Sequence, residues 1–574
     1  MKARDYEAGK RMKRKTATQL FFLFLLVLLS TLPFINKPYH VDDTIFLRYS
    51  QSLANEFFPV YTQEFRLVGI ISKGLNLIDP PFFIYYNTIP IKLFGMSEIP
   101  MHLFYIPFAI IIALSVYFIS RRFVKNYYIC TLLSVFSPAF LVMFHNLMLD
   151  IPMIAFFLLG LSLFIYGTDK ESNKILLLAS VFASLAPLIK YNGLLIVPLA
   201  MIYFIIKKKH NYLLYAVIPV AAVLLFELYN YSVYGVSHIL YSALDIHGPS
   251  KGINLEFFAV RLLTILIYTG AISIFTIFFI YPIIKRKKAA RYILALSVFL
   301  SLIISIAIKK ISSGFFSGKY SNIEIFLLWV FISAGIFYMV MYSFCFYESF
   351  RERKTEVGNY GDFLFLFLWL ASSVLGNILF AGGAVRYFAI SLIPLALILF
   401  TLLEKNIAMT NSQISKFGRM AFIATLALSI SIAYADYQYA SVYRDFPKKL
   451  SSTGAAADEK IYFFGDFGFG FYMEREGYKY IVIQNITQEI EQAKKDGKGI
   501  MIVKPQILFP RDANKLYFNN ELKVISTSEY TTKFPLRVHN YMAHAGFYTF
   551  SSGLLPYTFS SEPIEIFYVY YIDN

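Results

Sequence analysis

The feature that most constrains this chain is a train of apolar runs, each about the length of a membrane span, separated by short loops in which basic residues cluster. A stretch of 17–25 apolar residues spans the hydrocarbon core as a helix, because only a helix satisfies its own backbone there. Thirteen runs in this 574-residue chain meet that reading, at 17–35, 101–120, 127–144, 150–167, 174–189, 191–206, 211–230, 257–284, 290–308, 323–347, 363–381, 386–404 and 418–435. With 57% hydrophobic and only 16% charged residues, the composition excludes an ordinary soluble enzyme, a disordered chain, a coiled coil and a disulfide scaffold. The two cysteines, Cys130 and Cys345, both lie in apolar runs, so a Cys-ligated zinc site is excluded.

The net charge of +17 resembles that of a nucleic-acid binder until it is mapped. Residues 436–574 are nearly neutral, with 15 Lys+Arg against 16 Asp+Glu, and the excess sits between spans. If the basic N-terminus starts inside, the inner segments carry 26 Lys+Arg and the longer outer segments 11. That is the positive-inside pattern, and it predicts a cytoplasmic N-terminus, an extracytoplasmic C-terminal region and no nucleic-acid partner. The first run follows a basic start but lacks a small-residue cleavage site, so it reads as an uncleaved span.

Two domains follow: a membrane domain over 1–435 and an outer domain over 436–574. Within the membrane domain, the outer loop 36–100 is long and semi-apolar. In VDDTIFLRYSQSLANEFF, Ile45, Phe46, Tyr49 and Leu53 fall on one helical face behind Asp42 and Asp43. The aromatic-rich stretch 76–95 is broken by Pro80, Pro81 and Pro90. Both are expected to be interfacial helices, at 43–57 and 76–95. In the outer domain KIYFFGDF, YKYIVIQ, GIMIVK and IEIFYVYYI read as strands and TQEIEQAKKDG as a helix, giving a small α/β domain. GDFGFG has the wrong spacing for a dinucleotide loop and reads as a strand-to-turn element. The sequons at Asn230 and Asn485 are of a kind that arises often by chance.

Carboxylates at the lipid–water boundary are costly, so Asp42, Asp43, Asp79, Asp150 and Asp245 on the outer side are functional candidates, with helix capping as the competing role for Asp42, Asp43 and Asp150. Lys190 and Arg386 lie at the same level, either as snorkelling anchors or as phosphate-binding cations. His40, His102, His145 and His247 are also outer. With Asp42, Asp43 and Asp79 these histidines offer an oxygen/nitrogen set for a divalent metal ion, though without a diagnostic spacing.

Taken in order, these motifs resemble the GT-C glycosyltransferases, in particular the family-39-like branch of protein O-mannosyltransferases and lipid A aminoarabinose transferases. The acidic pair opens VDDTIFLRYSQSLA, and a Pro-Pro motif and an aromatic helix ending in Phe-Gly follow in IDPPFFIYYNTIPIKLFG. Then come SRR at 120–122, LMLDIPMIAFFLLG, LIKYNGLLIVPLA and, later, VRYFAISLIPLALIL. Asp79 stands where the family has His or Lys before Pro-Pro. That departure favours metal ligation there over phosphate contact.

The resemblance implies a GT-C-like polytopic fold. It also implies a hexosyl- or pentosyltransferase that takes sugar from a polyprenyl-phosphate donor, with inversion, on the outer face of the membrane. The acceptor would be a hydroxyl or phosphate on a lipid or protein. On this reading Asp42 is the general base, and Asp43 and Asp150 orient it, bind acceptor or hold a metal. Lys190, Arg386, Tyr387 and Asp79 form the phosphate-binding set, while Asp43, Asp79 and His40 form the candidate metal set. A transporter or flippase is the alternative, but transporters gather charge mid-span rather than at outer ends. A non-catalytic scaffold is the third reading. The lack of a retention signal and the Ile/Lys-rich usage point to a prokaryotic cell membrane.

Overall fold

The computed structural model describes residues 2–55, 61, 64–67, 70–73, 79–241, 255–310, 319–351, 357–380, 383–452, 460–481, 488, 491–492, 495, 500–507 and 523–572. Among them, nine helices are long and apolar enough to cross a membrane, and a tenth span is formed if the bent pair Phe258–Ile272 and Ile274–Arg286 counts as one. The pair turns by 65° at Ser273. Two shorter apolar helices, Asn173–Ile189 and Tyr191–Ile206, lie where two short runs were read. The run 127–144 is split into Tyr127–Val135 and Pro138–Met143, because Pro138 lacks the N–H that a continuous helix needs. This is a polytopic α-helical membrane protein.

Helices in lipid gain nothing from hiding apolar surface from one another, so close approach relies on small residues. The clearest crossing joins Phe258–Ile272 to Asn322–Arg351. A Cβ on Gly270 would stand 2.1 Å from the Phe331 carbonyl oxygen, and one on Gly335 would stand 2.2 Å from that of Leu266.

The outer loop holds the two expected helices, at Asp43–Asn55 and Phe82–Phe94. It also holds an antiparallel hairpin, Glu64–Leu67 with Ile70–Lys73, which the sequence reading did not expect.

The helix Asn411–Ser452 runs straight through position 435/436. The membrane part and the outer part are therefore joined by a continuous rod, and the outer fold begins beyond Ser452. Its five-stranded sheet has the order Lys479–Tyr480, Lys460–Phe463, Ile500–Pro505, Glu565–Ile572, Lys523–Tyr530. The first three strands are parallel, and Glu565–Ile572 runs antiparallel to both of its neighbours. All four predicted strand runs contribute to it. Lys523–Tyr530 was not read as a strand, and TQEIEQAKKDG lies for most of its length outside the described residues. In GDFGFG the strand gives way to a helix, Phe467–Arg475. A Cβ on Gly468 would meet the Tyr39 carbonyl oxygen at 2.4 Å, so glycine is required where the outer domain sits on the loop.

Candidate active site

Five distant stretches bring their charged residues to one place, at one end of the spans. Asp42 immediately precedes the helix Asp43–Asn55, and its carbonyl accepts from the Ile45 and Phe46 amides. Its side chain does not cap that helix. Asp42 Oδ2 instead accepts a 2.7 Å hydrogen bond from Arg386 Nη1. Val41, just before it, has φ of 46°, a left-handed conformation that a β-branched residue adopts only under strain.

Asp150 opens the helix Asp150–Asp169 and takes both cations. Its Oδ1 accepts from Lys190 Nζ at 3.0 Å, and its Oδ2 lies 3.7 Å from Arg386 Nε. Lys190 projects from an extended residue between two helices. The tight turn after it needs Gly193, since a Cβ there would stand 2.5 Å from the Ala186 carbonyl carbon. Tyr387 lies against both cations, 4.8 Å from Lys190 Nζ and 5.1 Å from the Arg386 guanidinium carbon, measured to its ring centre. Arg386 Nη1 also lies 2.9 Å from Met148 Sδ.

Asp79 feels the same charges. Burial pushes its carboxyl up to about 6, with Lys190 opposing and Asp150 reinforcing the shift. Asp42, Asp79, Asp150, Lys190, Arg386 and Tyr387 therefore form one electrostatic unit, although Asp42 and Arg386 lie 344 residues apart.

Asp43 is turned away from this unit and is buried. Its Oδ1 accepts from the Leu147 amide at 2.9 Å, and its Oδ2 lies 3.2 Å from the His40 amide and 3.3 Å from His40 Nδ1. His40 Nε2 lies 3.1 Å from both Asp436 Oδ1 and Tyr548 Oη. Burial and Lys37 disfavour the charged imidazole, but Asp436 and Asp43 outweigh them and hold its pKa above the ordinary value. Lys37 Nζ donates to Asp436 Oδ2 and to Asn146 Oδ1. Asp43 thus ties its turn to His40 and to the Leu147 amide.

The metal expectation fits poorly. Both His40 nitrogens and both Asp43 oxygens are already engaged, and Asp79 belongs with Lys190 and Asp150. Among the described residues, no group of three or more His, Cys, Asp and Glu is gathered to hold an ion. His102 Nδ1 lies 2.7 Å from the Glu98 carbonyl and His145 Nε2 2.9 Å from that of Ser30, both structural roles. Asp245 and His247 lie outside the described residues.

Lys37, Asn146, Asp436 and Tyr548 were missed from sequence. Asp436 carried a signal: it is an ionisable residue directly at the end of the apolar run 418–435. Placing the domain boundary at 436 hid it.

Residues 79–233 match the family model described as dolichyl-phosphate-mannose-protein mannosyltransferase, and that stretch carries Asp79, Asp150 and Lys190. No curated protein sequence matches the chain. Similar solved structures include the archaeal oligosaccharyltransferase AglB from Archaeoglobus fulgidus, in complex with an inhibitory peptide and a dolichol-phosphate. It is 15% identical, with 84% of this chain and 69% of that chain covered and a TM-score of 0.46. Another is ArnT from Cupriavidus metallidurans bound to undecaprenyl phosphate, 13% identical, covering 88% of this chain and 96% of that chain with a TM-score of 0.40. The family match bears out the resemblance read from the sequence over residues 79–233, where the chain is similar to membrane protein mannosyltransferases that use a dolichyl-phosphate sugar.

Proposed function

We propose that the protein transfers a sugar from a polyprenyl-phosphate donor to an acceptor hydroxyl or phosphate at the outer face of the membrane, with inversion. The observation that carries this reading is the Lys190–Arg386 cation pair, held by Asp150 and ringed by Tyr387, Asp42 and Asp79. A polyprenyl phosphate leaves as a stable anion and needs charge stabilisation more than a proton. Two fixed cations in a partly dry site supply that.

In a single displacement the acceptor oxygen bonds to the anomeric carbon while the bond from that carbon to the phosphate oxygen breaks. The acceptor proton passes to Asp42. Its side chain is 25% exposed and that of Asp150 only 4%, so Asp42 is the carboxylate an acceptor can reach. Before the donor arrives, Arg386 occupies Asp42. A bound phosphate competes for the same guanidinium and frees Asp42 to act as base. Asp150 keeps Lys190 aimed throughout.

The test combines deletion of the gene, complementation with wild type or Asp42→Asn, and mass spectrometry of glycans and lipids. A sugar lost on deletion and restored by wild type alone supports the transferase and names its product. A positioned base contributes about 10²- to 10⁴-fold, so Asp42→Asn should restore almost none. Full restoration by Asp42→Asn would remove Asp42 from that role. Glycans and lipids unchanged by deletion would sink the transfer reading.

A further inference from the structure

One short segment of the outer domain, residues 545–550, meets the stretch of chain that leads into the site. Its backbone pairs with the residues that lead into Arg386. The Val385 amide donates to the Phe547 carbonyl at 3.0 Å, and the Phe550 amide donates to the Gly383 carbonyl at 3.0 Å. Tyr268 Oη ties the two together, lying 3.1 Å from the carbonyl oxygens of Gly383 and Gly546.

Between those contacts the Tyr548 side chain reaches the other half of the site. Its hydroxyl donates to Asp436 Oδ2 at 2.7 Å and accepts from Asn146 Nδ2 at 2.8 Å, and His40 Nε2 lies 3.1 Å away. Each of these partners supports a group that faces the reaction. His40 is bound to Asp43, the neighbour of Asp42. Asn146 begins the loop whose Leu147 amide binds Asp43 and whose Met148 and Asp150 meet Arg386 and Lys190. The helix Phe467–Arg475 grips the same turn from its other side, where Tyr39 N–H donates to Tyr472 Oη at 3.0 Å.

We infer that the outer domain is a working part of the catalytic centre, with Tyr548 as a positioning residue that sets the Asp42 turn and the 146–150 loop against Arg386. The chemistry it serves is the sugar transfer proposed above, and the inference rests on that reading. A hydroxyl in a fully paired buried network fixes its partners more narrowly than packing alone does, and sub-ångström misplacement of reacting groups is costly in rate.

The experiment compares Tyr548→Phe with Tyr557→Phe in the full-length protein. Tyr557 belongs to the same domain and donates to the Ala271 carbonyl at 2.9 Å, away from the charged cluster. Transfer from polyprenyl-phosphate mannose and polyprenyl-phosphate glucose to host membrane extract is measured for both, with thermal stability in detergent. Hydrogen exchange of peptides covering 40–47 and 144–150 is followed without substrate. The expected result for Tyr548→Phe is a kcat lower by about 10- to 100-fold with donor KM within about threefold, plus faster exchange in both peptides. Tyr557→Phe should keep its kcat and the exchange of those peptides, whatever its melting point does. Wild-type kcat in Tyr548→Phe, or equal losses in the two variants that track stability, would overturn the inference. If wild type transfers neither sugar, transfer from these two hexose donors is what has failed. Exchange then decides the positioning claim alone, and unchanged peptides in Tyr548→Phe would end it.

Discussion

At the scale of single residues, the most informative departure is Asp79. A carboxylate beside a phosphate site repels the donor when ionised, and burial keeps this one protonated up to about pH 6. Its folded pKa lies above the unfolded value. Its contribution to stability is therefore full at low pH and is lost as pH rises through about 6. Donor KM should rise across the same window, and Asp79→Asn should flatten that dependence; a KM profile identical to wild type would exclude Asp79 from the donor's neighbourhood. Val41 gives a second prediction. Replacing it with glycine relieves the left-handed strain, worth about 1–3 kcal/mol, against a glycine entropy cost of about 0.5–1 kcal/mol. Val41→Gly should therefore be more stable by roughly 1 kcal/mol, read as a higher melting point, yet turn over more slowly, because the Asp42 turn is freer. The site was legible to this depth because boundary carboxylates and cations stand out in an apolar chain: Asp42, Asp79, Asp150, Lys190, Arg386 and Tyr387 were all named from sequence and all meet. What was illegible was orientation. Nothing in the pair Asp42-Asp43 tells which carboxylate faces Arg386, since that depends on His40 and on the Leu147 amide.

At the scale of elements, hydropathy exposed the spans because lipid imposes a single rule on every one of them. The ends were harder. Residues 437–450, YQYASVYRDFPKKL, are too polar for a span, so composition ended the helix at 435 although its hydrogen-bonded backbone continues to Ser452. The strand KVISTSEY went unread because its side chains are mostly exposed or half-exposed and carry no apolar alternation. The glycine crossing is the element-scale prediction. Gly270→Ala and Gly335→Ala each push a methyl into a facing backbone carbonyl, which no rotamer can relieve. Each should lower stability by about 1–3 kcal/mol, read as a lower melting point in detergent. Gly376→Ala, with open space around its Cβ, should melt like wild type.

At the scale of the whole molecule, the charge pattern predicts which face carries the site. Cys130 and Cys345 are buried, so a single introduced cysteine reports cleanly. A membrane-impermeant maleimide should label Met542→Cys in intact cells and Glu171→Cys only after permeabilisation; the opposite pattern would invert the topology. The rod Asn411–Ser452 gives the architecture its reach. Its 42 residues span about 63 Å at 1.5 Å per residue, twice the hydrocarbon thickness of about 30 Å. It crosses the membrane and continues into the outer domain, and Asp436 lies along its length.

That connectivity has a consequence for how the protein is made. Lys37 and Asp436 are 399 residues apart, and His40 and Tyr548 are 508 apart. At about 5–20 residues per second, a ribosome needs roughly 25–100 s to travel from the second pair's first member to its last. For most of that interval Lys37 and His40 have been delivered to the membrane without Asp436, and for all of it without the Tyr548 hydroxyl. The network around the candidate site therefore closes only after Tyr548 has been made. A chain released before that point keeps most of its spans and nearly all of its acidic and basic site residues, but lacks the hydroxyl that joins Asp436, Asn146 and His40.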